Sequence, residues 1–88
     1  MNPEEISKLR RGLGLSQAEF AQLFGAHPMT ISKWERNALT PSAYQSALME
    51  KFRQTTDAQK KVDQEKVKKL LVGAGVVAAL VWLLGSTK

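Results

Sequence analysis

Few side chains in this sequence can do covalent chemistry. There is no cysteine among the 88 residues, which excludes a disulfide framework, a thiolate metal site and a thiol nucleophile. The single histidine, His27, rules out a His-rich metal centre and a histidine pair for acid–base work. Gly12-x-Gly14 is a helix terminator rather than a nucleotide loop. With no nucleophile–base pair and no metal-ligand cluster, neither an enzyme nor a cofactor is expected. What remains is ionic and hydrogen-bonding chemistry. Thirteen Lys+Arg against eight Asp+Glu give a net charge of +5, which invites a nucleic-acid partner. The charge is unevenly placed. Residues 1–50 hold five cations (Lys8, Arg10, Arg11, Lys33, Arg36) and five carboxylates (Glu4, Glu5, Glu19, Glu35, Glu50), and are neutral. Residues 51–69 hold seven cations and three carboxylates, so the basic character sits in the C-terminal half.

The elements that must position these groups fall into three zones. Residues 1–53 alternate apolar and polar side chains at helical spacing. Residues 54–69 are polar and basic. Residues 70–85, LLVGAGVVAALVWLLG, carry no charge, a contrast that the mean hydropathy of −0.26 averages away. The first zone predicts four helices and no strand. Asn2-Pro3-Glu4-Glu5 opens the first with an N-cap, a first-turn proline and acids near the positive helix end. Ile6 and Leu9 share its buried face, and Gly12 and Gly14 end it. Ser16-Gln17-Ala18-Glu19 is a capping box, opening a helix that carries Phe20, Leu23 and Phe24 to Gly25. A third runs from His27-Pro28 to about Asn37 with Ile31 and Trp34 inward. Thr40-Pro41 is expected to start a fourth, with Ala43, Ala47, Leu48 and Phe52 inward.

The second and third helices fit a helix-turn-helix for a steric reason. Two helices crossing through a short turn need a small residue where their axes approach, which Ala21 supplies. Four positions on, the turn needs a residue at ease with positive φ, which Gly25 supplies. With Leu9 through Arg36 reading LRRGLGLSQAEFAQLFGAHPMTISKWER, the chain resembles the phage-repressor and Cro-like family of bacterial regulators. The Thr40-Pro41-Ser42 beyond it is similar to its minimal four-helix members, some antitoxins among them. That resemblance implies double-stranded DNA as partner, with the third helix in the major groove. On the matching positions His27, Pro28, Met29, Ser32 and Lys33 meet base edges, Lys33 donating to guanine and Met29 lying against a thymine methyl. Ser16, Gln17, Thr30, Arg36 and Asn37 are placed to hold phosphates, with Lys8 and Arg11 as further candidates. The family pattern also pairs Arg10 with Glu35 as a structural bridge. Trp34 is expected in the core.

The oily tail is expected to be a single transmembrane helix over residues 70–87. As a helix, residues 70–85 span about 24 Å, short of the roughly 30 Å of a bilayer core. Lys66, Lys68 and Lys69 flank the start and can snorkel, while Trp82 lies where an interfacial aromatic is expected. The run is apolar on every face, which argues against a soluble coiled coil, and the head offers no layer able to cover it all round. The lysines before the span put residues 1–53 on the cytoplasmic side of a bacterial inner membrane and favour anionic lipid. Ala74/Ala78 and Gly75/Ala79 form two small-xxx-small pairs through which spans can pack as a homodimer.

The expected architecture is therefore all-α: a compact four-helix helix-turn-helix domain (1–53), a polar helical linker (54–69) with Thr55-Thr56 as a hinge, and a membrane span (70–87). The expected function is a membrane-anchored, repressor-like DNA-binding regulator or tethering factor, acting as a dimer. Two alternatives stay open. One is an antitoxin-like or scaffold module that binds a protein such as a toxin. The other is a small phage-derived membrane protein whose head has lost its DNA role.

Overall fold

The structure, a computed structural model, describes residues 1–59 and 64–84, without the side chains of residues 57–59 and 64–66. The described elements are helices: α1 (Pro3–Gly12), α2 (Gln17–Gln22), α3 (Pro28–Glu35), α4 (Ala43–Gln59), α5 (Gln64–Lys69), a π-helical stretch (Leu70–Ala74) and α6 (Val76–Leu83).

Short helices must be bounded firmly, and these are. Asn2 with Glu5 and Ser16 with Glu19 form reciprocal capping boxes at the starts of α1 and α2. Ser42 with Gln45 forms a third, so Ser42 caps α4 in place of the expected Thr40. At the other ends, α1, α2 and α3 close through the same motif, in which a left-handed residue turns the chain and two backward bonds satisfy the last carbonyls. Gly14 (φ 73°) and Gly25 (φ 61°) serve α1 and α2. Asn37 (φ 60°) serves α3, with the Ala38 N–H on the Lys33 carbonyl at 2.8 Å.

The core begins at the crossing of α2 and α3. Ala21 is buried there, and Phe24 sets its ring edgewise against Phe20 (4.9 Å) and Trp34 (5.5 Å), and tilted against Phe52 (5.7 Å). Ile6, Leu9, Leu13 and Leu15 close it from α1 and the turn after it. The buried face of α4 is Met49 and Phe52 with Leu48 beside them. Ala43 and Ala47 are exposed, contrary to expectation, because they share the face of α4 opposite Met49 and Phe52. Thr55 and Thr56 are no hinge: α4 runs through them, and the Thr56 hydroxyl donates to the Arg53 carbonyl at 2.9 Å.

The tail departs most from expectation. No helix among the described residues is long and apolar enough to cross a membrane. The uncharged run is cut in two. Gly75 adopts φ 99°, a backbone that an L side chain strongly disfavours, and its N–H reaches back to the Leu70 carbonyl (2.8 Å), closing the wider π turn. Beyond Gly75 lies α6, eight residues long, about 12 Å against the roughly 30 Å of a bilayer core. Both pieces return to the head. Val67, Leu71, Ala79 and Leu83 are buried in the same core as Phe20 and Trp34, and α6 packs on α4.

The transmembrane helix and the single-pass inner-membrane location are thus overturned, and the charge-based orientation goes with them. The small-xxx-small seam also fails. Gly75 separates Ala74 from Ala78, and Ala79 is buried within the chain's own core. Trp82, expected at a membrane interface, packs half-buried against that core. Lys68 and Lys69 are exposed on α5, while the side chain of Lys66 lies outside the described residues. The expected linker centre (60–63) and the end of the expected span (85–87) also fall outside them. The head does not need to cover an all-apolar helix on every side. It covers only one stripe of each piece, leaving Val72 (74%) and Val77 (75%) exposed.

Candidate nucleic-acid interface

Every polar residue singled out in the sequence for recognition lies on α2, α3 or their ends, apart from Lys8 and Arg11 on α1. Helix α3 presents two opposed faces. Ile31 and Trp34 are buried, whereas Pro28, Met29 and Lys33 are exposed. Met29 (52% exposed) and Lys33 stand one turn apart and so share a surface. Lys33 has no ion-pair partner among the described residues.

His27 caps α3 with its ring. Nδ1 accepts the Met29 N–H at 3.0 Å, which places the ring proton on Nε2. Ser32 is half-buried and engaged: its hydroxyl and carbonyl accept from Arg36 Nε at 3.2 and 3.3 Å. Arg36 is therefore laid back along α3 while remaining exposed. Thr30 is half-buried. Asn37 is exposed, but its position is accounted for by the left-handed turn that ends α3.

A buttress holds α1, α2 and α3 in register. Arg10 Nε and Nη2 donate to the two carboxylate oxygens of Glu35 at 2.6 and 3.1 Å, and Nη1 donates to the Leu15 carbonyl at 2.9 Å. The Gln17 amide adds a bond to Glu35 at 3.3 Å. Gln17, assigned a phosphate from the sequence, is thus half-buried and tied to the buttress. Ser16 remains exposed at the start of α2.

Sequence reasoning missed one contact altogether. Lys68 Nζ lies 3.6 Å from Glu19 Oε1, the oxygen that also accepts the Ser16 N–H at 2.9 Å. No local pattern marks this pair, because the fold-back of the tail creates it. Burial pushes the Glu19 carboxyl upward, but the Ser16 N–H, the Lys68 charge and the Ser16 hydroxyl together outweigh it, leaving Glu19 below its usual value. A carboxyl depressed by folding contributes stability above its unfolded value and loses it as pH falls through the folded one. Acidification below about pH 4.5 is therefore expected to lower the melting temperature. Glu19→Gln keeps a residue able to complete the capping box but removes the charge. It should cost under about 1 kcal/mol at neutral pH and flatten that acid dependence, as thermal melts across pH would show.

An open groove beside α1, lined by Glu4, Lys8, Arg11 and Glu35 among others, mixes both charge signs and gathers no reactive pair. The arrangement as a whole sets a buttressed frame behind a short helix whose outer face carries Pro28, Met29 and Lys33.

Comparison with known families agrees with this geometry. A sequence model described as helix-turn-helix matches residues 6–52, just over half of the chain. No curated protein and no solved structure matches it.

Proposed function

This chain belongs to the helix-turn-helix family of DNA-binding regulatory domains, and from that premise we propose that it is a small transcription regulator whose α3 reads the major groove of double-stranded DNA. The observation that supports this most is the split of α3 into a buried Ile31/Trp34 face and an exposed face of Pro28, Met29 and Lys33 beside His27.

In this reading Lys33 donates to guanine O6 or N7, His27 offers Nε2–H and Met29 covers a thymine methyl. Pro28 offers no donor, so base readout is modest. Ser16, Thr30, Arg36 and Asn37 border this face and contact phosphates. Ser32 holds Arg36, and Gln17 braces Glu35 in the buttress behind. A homodimer on a two-fold site completes the proposal, since two docked helices are held at a fixed spacing.

The test is binding of the full chain to duplexes selected from a random pool, followed by anisotropy. Lys33→Glu is expected to weaken binding to the selected site by about 1–3 kcal/mol, because it reverses the exposed cation on α3. Unchanged binding would transfer the role of the head to a protein partner, as in the antitoxin-like alternative.

A further inference from the structure

We propose that α5, docked on the core through Val67, is part of the DNA-binding surface, and that Lys68 and Lys69 contact the phosphodiester backbone. This rests on the DNA-binding reading above and adds residues outside the matched helix-turn-helix region.

Phosphate neutralisation supplies most of the sequence-independent affinity of a DNA-binding protein. Residues 1–50, however, carry five cations and five carboxylates. Two of those cations are committed: Arg10 is paired with Glu35 and largely out of solvent, and Arg36 is held to Ser32. The head alone is a poor polyanion ligand, so cations must come from elsewhere in the chain.

The fold brings them. Val67 and Leu71 are buried in the core, and Lys68 and Lys69 lie between them on the exposed side of the same helical run. Lys68 is 54% exposed, yet its ammonium is placed by Glu19 Oε1, which in turn holds the Ser16 N–H. Gln17, next to Ser16, reaches Glu35 at the end of α3, immediately before Arg36. Contacts and chain neighbours thus lead from Lys68 to the first turn of α2, and from there to Glu35, the last residue of α3. Lys68 acts twice here. It offsets Glu19, an anion that would otherwise repel an approaching phosphodiester, and its exposed side chain keeps donors for that phosphodiester.

The experiment measures affinity of the full chain for a short duplex as a function of salt. Each phosphate contact contributes about 0.9 to the slope of log affinity against log salt. Lys68→Gln/Lys69→Gln is expected to lower that slope by about two, with the preference for the selected site over bulk duplex unchanged. Lys68→Arg/Lys69→Arg should keep the wild-type slope, and melts of both variants report on the fold independently. An unaltered slope in the glutamine variant overturns this inference and leaves the proposed function standing. A wild-type chain that binds no duplex at any salt overturns both.

Discussion

Arg10→Ala is expected to destabilise the fold by about 3–5 kcal/mol, the largest effect of any single polar substitution in this chain. The guanidinium makes three bonds at once, two to the Glu35 carboxylate and one to the Leu15 carbonyl. Arg10 and Glu35 are 14% and 10% exposed, so water repairs little of the loss. With arginine gone, Glu35 keeps only the longer 3.3 Å bond from Gln17 to support a charge largely out of solvent. Urea unfolding of Arg10→Ala, Glu35→Ala and the double variant would test this. The two losses should be strongly non-additive, since the second substitution removes the charge that the first left unpaired. Additive losses would show that the pair is not coupled. Replacing both by apolar residues of similar size should recover much of the stability, because the frame needs the pair matched rather than charged.

The second large effect lies in the tail. Leu83→Ala should cost about 2–5 kcal/mol, the loss expected for truncating a leucine in a closed core. Leu83 is fully buried, and it shares one core with Phe20, Trp34 and Phe52. Val77 on the same helix is 75% exposed, so Val77→Ala should shift stability by no more than about 0.5 kcal/mol. The contrast between the two, measured by thermal or urea unfolding, distinguishes a tail that completes the core from one that hangs free. A free tail would leave the unfolding of the head untouched by either change.

The helix-turn-helix was legible because its rules are local. Asn2 with Glu5 and Ser16 with Glu19 announce helix starts at fixed offsets, and Gly14 and Gly25 announce stops. Ser42 and Gln45 carry the same offset, but the neighbouring Thr40-Pro41 drew the start of α4 too early. Asn37 also sits where a left-handed terminator belongs, a role its residue type alone did not announce. The tail was misread because hydropathy counts side chains and ignores dihedrals. The uncharged run of residues 70–85 satisfies a membrane criterion only as one straight helix. Gly75 breaks that condition, and the resulting halves are short enough for each to bury a single stripe. Lys68 and Glu19 were beyond reach, being 49 positions apart with no repeat or periodicity linking them. Of the residues that the resemblance assigned to base edges, Lys33, Met29 and Pro28 stand exposed on α3. The engagement of Ser32 by Arg36 and of Gln17 by Glu35 depends on rotamers that residue type does not reveal.

The folded-back tail also governs how this chain fails. Val76–Leu84 is rich in β-branched and large apolar side chains and contains no charge and no proline. Such a segment is a template for intermolecular strand assembly whenever it is released. In the native state its helical form and the contacts of Ala79 and Leu83 withhold it. Each global opening exposes the whole segment at once, and recapture by its own core then competes with capture by another molecule, a contest that concentration tilts. Loss of folded chain on prolonged heating is accordingly expected to quicken as protein concentration rises, while dilute solutions unfold reversibly.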